Sequence, residues 1–479
     1  MKITIAQGDG IGPEVMGVAL DVFRAANVPL DYEEVAMGKS VALAGELSGI
    51  SEEARASVEE TGILFKGPME TPKGGGYKSV NVTARKLWGA FANKRVYRIL
   101  PGVRSVLGDR HLDLTMIREN IEDTYGAVEH MQTHDVAQCR RFITRPGCEQ
   151  VHRYTFEAAA RKGAHRVTCA HKANIMKMTD GLFLETFYEV AKDYPQLQAD
   201  DVIVDALAMK LVIEPESFDV IVLPNFQGDI LTDLAAGLVG GLAYAPSANI
   251  GESVCIFEAV HGTAPDIVGQ DLANPTALLL SGTMMLRHLG LVSHAEAIDT
   301  ALERTLLSMT QNRDHTFRTS DFRERMLREL EGVAIDGAVT RQLTIPRREP
   351  KMIVTPEPST TELRGVDVFV ESPLAPSAVA AMVDGLDPSL HLTMISNRGT
   401  QVWPTGSAFT DCVNHYRIRF ESDQPVEQHA LIALMADVGH RFPICSAEWL
   451  RVIDGKRAYS LAQGQSPAVE AVVTPTSCA

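Results

Sequence analysis

From residue 1 to about residue 335, apolar runs of strand length alternate with segments of helical period, and few folds accommodate that alternation. Ile3-Thr4-Ile5 leads through Gly8-Asp9-Gly10-Ile11-Gly12-Pro13 into a helix expected over Glu14 to Ala26. Further strands are expected at Ile63-Leu64-Phe65, Leu112 to Ile117, Arg166 to Ala170 and Val220 to Leu223. Amphipathic segments such as Tyr154 to Lys162 and Gly181 to Lys192 lie between them. Strand followed by helix, repeated in this way, predicts α/β layers around a substantial parallel sheet.

The composition changes at Asp336 to Leu363, where Pro346, Pro350, Pro356 and Pro358 sit among charges and hydroxyls as in an extended linker. Strand and helix then follow in the order βαββαβ: Gly365 to Val370, Ala375 to Asp384, His391 to Ile395, Asn414 to Phe420, Val426 to His440, and Trp449 to Ile453. That order predicts a small ferredoxin-like α+β domain over 364–462. The stretch 463–479 is expected to be a disordered tail. At 479 residues the chain exceeds a single core, and its length fits about three domains.

A formal net charge of -16 argues against nucleic acid or an anionic membrane surface as partner. It leaves room for a polyanionic small molecule, because the local field decides that binding. No segment has the apolar length of a signal peptide or a membrane span. The seven cysteines show no CxxC or metal-finger spacing, as expected of reduced thiols in a cytoplasmic protein.

Several polar clusters could carry chemistry. Lys78 to Arg85 places Ser79, Asn81 and Arg85 together, with Arg95 and Arg118 downstream. Guanidiniums grip carboxylates bidentately, so three of them beside a hydroxyl and an amide point to a small di- or tricarboxylate. A solvated basic surface would give the same run. Asp229 and Asp233 stand one helical turn apart, a pattern that serves a hard divalent cation or merely caps a helix. Asp205 follows Val202-Ile203-Val204 at a strand end and is a third candidate ligand. Lys172, directly after a strand, could be a general base, and Tyr125 a general acid; each is also an ordinary structural residue type. Gly8-Asp9-Gly10-Ile11-Gly12 lacks the dinucleotide spacing and reads as a tight turn. His261-Gly262-Thr263-Ala264-Pro265-Asp266-Ile267, with Asn274 beyond, is the better cofactor loop. Its Asp266 would accept from ribose hydroxyls and repel a 2′-phosphate.

Taken together and in this order, the segments resemble the isocitrate dehydrogenase branch of the β-decarboxylating dehydrogenases, which also include isopropylmalate and homoisocitrate dehydrogenases. The resemblance rests on Ser79-x-Asn81-x-x-x-Arg85 and runs to about residue 335. It implies a large cofactor-binding domain from 1–90 and 242–335, and a small domain with a dimer-interface clasp from 91–241. It implies that Ser79, Asn81, Arg85, Arg95 and Arg118 bind isocitrate, that Tyr125 is the acid and Lys172 the base, and that Asp205, Asp229 and Asp233 hold Mg²⁺ or Mn²⁺. Lys172 and Asp205 would come from a neighbouring subunit, so a homodimer or higher homo-oligomer with shared active sites is expected. Thr71, His261 to Ile267 and Asn274 would line the cofactor site. Asp266-Ile267 resembles members that use NAD, and the basic residues expected near a 2′-phosphate are not evident around Gln311 to Phe317. The expectation is therefore NAD-linked oxidative decarboxylation of isocitrate. An NADP-linked enzyme or a sister enzyme for homoisocitrate or isopropylmalate is the alternative. The region after the linker resembles the extra C-terminal domain of longer bacterial isocitrate dehydrogenases.

Overall fold

The computed structural model describes residues 1–71, 78–311, 317–335, 359–407 and 409–461. Most of the expected linker and the expected tail fall outside the described residues. The chain divides into two compact units, Met1–Gly126 with Arg141–Ile353, and Ala127–Arg140 with Val354–Ala479.

The first unit is built on a ten-stranded sheet. Its order is Asp31–Glu34, Lys2–Ala6, Ile63–Lys66, Cys255–Ala259, Pro246–Ile250, Ala92–Arg98, Asp113–Glu119, Val220–Leu223, Arg166–His171 and Gln198–Ile203. The two wings are parallel, as the alternation predicts. The centre is antiparallel, because Pro246–Ile250 and Ala92–Arg98 pair in that sense with each other and with their outer neighbours. Helices Gly12–Ala25 and Thr276–His288 pack apolar faces on one wing, and Arg145–Lys162 and Thr179–Ala191 on the other. Val220–Leu223 is buried throughout, which is why its sequence is a plain apolar run.

The central pair escaped the apolar-run criterion for a physical reason. Ala92–Arg98 puts Asn93, Arg95 and Tyr97 on one face, and all three are buried. Asn93 lies opposite Asn249, and Arg95 opposite Ser247. Asn93 Nδ2 donates to Ser247 Oγ at 2.7 Å and to Asn249 Oδ1 at 2.8 Å, while Arg95 Nε donates to Asn93 Oδ1 at 2.8 Å. Buried polar groups are tolerated when each finds such a partner. The middle of the sheet thus carries a polar face.

The second unit holds a six-stranded antiparallel sheet. Its order is Thr400–Trp403, His391–Asn397, His415–Glu421, Thr361–Glu371, Ile444–Ile453 and Lys456–Arg457. Helices Pro376–Val383 and Gln428–Gly439 supply Val379, Val383, Leu431 and Leu434 to a core with Val366, Val368 and Val370. The four main strands and two helices follow the expected βαββαβ order. Thr400–Trp403 and Lys456–Arg457 are additions too short to read from sequence. Ala127–Arg140, from the hairpin Asp123–Thr133 and Val136–Phe142, belongs to this unit, with Arg140 Nη2 at 3.0 Å from Glu448 Oε1. No helix among the described residues is long and apolar enough to cross a membrane.

Candidate active site

The Gly8 to Gly12 turn is a buttress. Gly8 and Gly10 have φ of +79° and +60°, and a Cβ on Gly10 would stand 2.2 Å from the Thr263 carbonyl oxygen. Only glycine tolerates that approach at that backbone angle. Ile11 N–H donates to the Thr263 carbonyl and Asp9 N–H to the Pro68 carbonyl. The Asp9 carboxylate accepts from the backbone N–H of Glu70 and of Lys39. One tight turn therefore props two loops, Pro68–Thr71 and His261–Thr263, against each other.

Between those loops lies a cavity of about 330 Å³ lined by Glu70, Thr71, Asn81, Arg85, Arg95, Ser247, Glu258, His261, Gly262 and Thr263. Ser79 caps the helix Val80–Leu87 and accepts from Thr71 Oγ1 at 3.1 Å. Asn81 and Arg85 follow on that helix, one turn apart. Arg85 Nη2 donates to Glu258 Oε1 at 3.1 Å.

Arg95 and Arg118 face the helix Asn225–Leu238. Arg95 Nη1 donates to Asp233 Oδ1 at 3.1 Å, and Arg118 Nη1 pairs with Asp229. The Arg118 guanidinium lies over the Tyr125 ring, 4.7 Å from its centroid, and Tyr125 OH donates to Asp229 Oδ2 at 2.7 Å. Burial, then that bond to Asp229, raises the Tyr125 pKa, so the phenol keeps its proton. Burial, then Arg85, pushes Arg118 down to about 10, still a cation at neutral pH. Burial opposes the charge on Asp229, but Arg118 and the Tyr125 hydroxyl hold its carboxyl below the usual range.

Among the described residues, Arg85 Nε, Arg118 Nη2, Asn81 Oδ1 and His261 Nε2 are buried without a hydrogen-bond partner. Two are guanidinium donors, and such groups stay unpaired at a cost of about 1–3 kcal/mol each. His261 Nδ1 lies 3.0 Å from the Gly262 carbonyl oxygen, and burial lowers the ring's pKa. A neutral ring donating at Nδ1 leaves Nε2 as an acceptor.

Of the other expected site residues, Lys172 follows the strand Arg166–His171, and its Nζ pairs with Asp205 in the first turn of Val204–Ile213. Those two form a pair of their own. No group of three His, Cys, Asp or Glu side chains among the described residues converges on one metal position. Asn274 Oδ1 accepts from Thr276 N–H at the start of Thr276–His288. Ala264 and Ile267 pack against the core, Pro265 and Asp266 are exposed, and none of these four lines the cavity.

Sequence reasoning missed Lys66 and Glu258. They are register partners on adjacent parallel strands, and their side chains pair at 2.5 Å with 1% and 5% exposure. A charge inside the apolar run Cys255 to Val260 was the available signal.

Glu119, at the end of a central strand, is also buried, and accepts from the backbone N–H of Ile121 and Glu122. Burial pushes its carboxyl up to about 7, against those two backbone bonds. The unfolded value is about 4.3. A raised folded pKa contributes stability below about pH 4 that is lost as pH rises through about 7. Glu119→Gln should therefore flatten the fall in unfolding free energy between pH 5.5 and 8, by on the order of 1–3 kcal/mol. Identical pH slopes in urea titrations of both proteins would remove Glu119 as the cause.

The family model described as isocitrate/isopropylmalate dehydrogenase matches residues 2–331, and the one described as bacterial isocitrate dehydrogenase, C-terminal domain, matches 361–465. The chain is 42% identical over 480 residues to a Thermus thermophilus protein named as an NADP isocitrate dehydrogenase. That match covers 97% of this chain and 96% of the relative. A Rickettsia bellii protein named in the same way is 38% identical over 480 residues, 97% of this chain and 99% of its own. The crystal structure of the TT0538 protein from Thermus thermophilus superposes with a TM-score of 0.89 at 41% identity, covering 97% and 96% of the two chains.

These relatives overturn the expectation of NAD, since relatives spanning nearly the whole chain are named for NADP. That expectation leaned on one carboxylate. Asp266 is exposed, and its backbone carbonyl, not its carboxylate, takes the Gln270 amide at 2.7 Å. It also overlooked Arg313 within that stretch and, just beyond Phe317, Arg318, whose guanidinium reaches the Gln270 carbonyl at 3.4 Å. Residues 312–316 lie outside the described residues.

Proposed function

Because this chain belongs to the isocitrate/isopropylmalate dehydrogenase family, we propose that it oxidises and decarboxylates isocitrate to 2-oxoglutarate and CO₂, with NADP⁺ taking the hydride. The observation that carries this reading is the pair of buried, unpartnered donors, Arg85 Nε and Arg118 Nη2, with Arg85 and Arg95 lining the cavity and Arg118 paired with Asp229 on the helix that Arg95 also faces. Buried guanidinium donors without partners call for an anion, and three arginines call for more than one carboxylate. Ser79 and Asn81 at the head of the same helix would hold a further carboxylate.

The aspartates fit a hard divalent ion, since Asp229 and Asp233 present half-exposed carboxylates on one helix face, at 42% and 57% exposure. Asp205 of the partner subunit would complete the set, and a bound Mg²⁺ or Mn²⁺ would supply a Lewis acid to the reacting oxygen. Lys172 of the partner subunit would take the hydroxyl proton as hydride leaves C2. Arg95 and Arg118 would keep the carboxylates oriented while CO₂ departs. Tyr125, held protonated by burial, would then give its proton to C3 of the enolate. His261 Nε2 would accept from a hydroxyl or amide of the cofactor, and Arg318 offers a guanidinium beside its loop for the 2′-phosphate.

A second copy of the chain is part of this reading. Lys172 and Asp205 form half of a site, and helices Val204–Ile213 and Asn225–Leu238 leave Met209, Val212, Ile213, Phe226 and Ile230 exposed. A subunit laid on that apolar face would bury it and bring the halves together. Six free cysteines among the described residues accord with a reducing, cytoplasmic setting.

Initial rates with isocitrate and Mg²⁺ or Mn²⁺ test the proposal. The expected result is a kcat/KM for NADP⁺ at least about tenfold above that for NAD⁺, roughly 1.4 kcal/mol of discrimination. Preference for NAD⁺ would keep the dehydrogenase and overturn the cofactor. Turnover of isopropylmalate but not isocitrate would overturn the substrate.

A further inference from the structure

Two aspartates in the first unit, Asp123 and Asp180, are fully buried at 0% exposure, and both pair with one guanidinium. Arg141 reaches Asp123 through Nε and Nη2 and Asp180 through Nη1, and its side chain is 15% exposed. Such carboxylates are costly to bury unless every lone pair is engaged, and the remaining partners here are informative. Asp180 Oδ2 accepts from the backbone N–H of Lys172 at 2.6 Å and from Gln227 Nε2 at 3.0 Å. Asp123 Oδ2 accepts from Phe226 N–H at 2.9 Å, and its Oδ1 from Thr124 N–H at 2.8 Å.

Each acceptor therefore holds the mount of a site residue. Lys172 is fixed at its own backbone. Phe226 and Gln227 form the first turn of the helix that carries Asp229 and Asp233. Asp123, with φ of +67°, turns the chain just before Tyr125. An arginine fork can hold two carboxylates at once in fixed geometry, which a lysine cannot.

We propose that Arg141 is a positioning residue that sets the Lys172 mount and the Tyr125–Asp229 mount in register through Asp180 and Asp123. Taking Tyr125 and Lys172 as the proton-transfer groups rests on the function proposed above. In a dimer with shared sites, Lys172 serves the neighbour while Tyr125 and Asp229 serve the chain's own site. One guanidinium would then join half of one active site to half of the other. Nothing in the Ser79–Asn81–Arg85 helix hangs on it.

Steady-state kinetics and amide exchange of the full-length protein decide the matter. For Arg141→Met the expected result is a fall in kcat of about 100-fold with KM for isocitrate changed less than about threefold. Arg141→Lys, which can serve one aspartate but not bridge both, should recover about a tenth of the lost rate or less. Backbone exchange at Lys172 and Phe226 should quicken in Arg141→Met while strand Val220–Leu223 stays protected. Unchanged kcat in a wild-type background that turns isocitrate over would overturn the proposal. If the wild type does not turn isocitrate over, the proposed function fails separately, and unchanged exchange at Lys172 and Phe226 would still sink the role of Arg141. Should Arg141→Met fail to fold, Asp180→Asn is read in the same way, with kcat and Lys172 exchange as its measures.

Discussion

Lys172→Met should lower kcat with isocitrate by about a thousandfold or more while leaving isocitrate binding within a few-fold of wild type. Methionine keeps the length and the apolar stem of lysine, so the strand end after Arg166–His171 should not move. The backbone N–H of Lys172 would still donate to Asp180, and only the amine beside Asp205 is lost. The guanidiniums of Arg85, Arg95 and Arg118, which would hold the carboxylates, lie outside the Lys172–Asp205 pair, so affinity and rate should separate. Steady-state rates combined with calorimetric titration of isocitrate measure both. A variant within about tenfold of wild-type kcat would remove Lys172 as the base, because positioned general bases contribute about 10²–10⁴. Loss of binding together with rate would show that Lys172 holds substrate instead.

What the sequence made legible follows from how far apart the partners lie. The parallel wings were readable because strands such as Val220–Leu223 are apolar on both faces. Ala92–Arg98 was not, because its inward face is Asn93, Arg95 and Tyr97, which only make sense once Ser247, Asn249 and Thr232 stand opposite. Site residues that cluster in sequence, such as Ser79, Asn81 and Arg85, could be proposed from chemistry alone. Lys66 with Glu258, or Arg141 with Asp123 and Asp180, could not, since each charge looks solvated until the fold buries it beside its partner. The cofactor expectation went astray for a related reason. A phosphate site is assembled from side chains on separate elements, and Asp266 was weighed without Arg318, which the fold brings to the Gln270 end of the same loop.

The buried charges behind the cavity carry the largest stability effect. Glu258 accepts from Lys66 Nζ, Arg85 Nη2 and Asn249 Nδ2, the last at 2.8 Å. Burial alone would raise its carboxyl pKa, but Lys66 and then Arg85 hold it well below the usual range. A depressed folded pKa contributes stability that is present above the unfolded value of about 4.3 and is lost as pH falls through the folded one. Glu258→Gln should cost about 3–5 kcal/mol at neutral pH, because it strands the Lys66 ammonium, whose other acceptor is the Gly67 carbonyl at 3.1 Å. It should also raise KM for isocitrate, since Arg85 loses the carboxylate that aims it into the cavity. The double variant Lys66→Met, Glu258→Gln should recover part of the stability but not the KM. The stranded charge is gone in that protein, while Arg85 is still unanchored. Denaturant unfolding of the two variants and kinetics on both separate the effects. Equal destabilisation in the single and double variants would mean that the pair acts through packing rather than charge, and an unchanged KM would release Glu258 from any part in orienting Arg85.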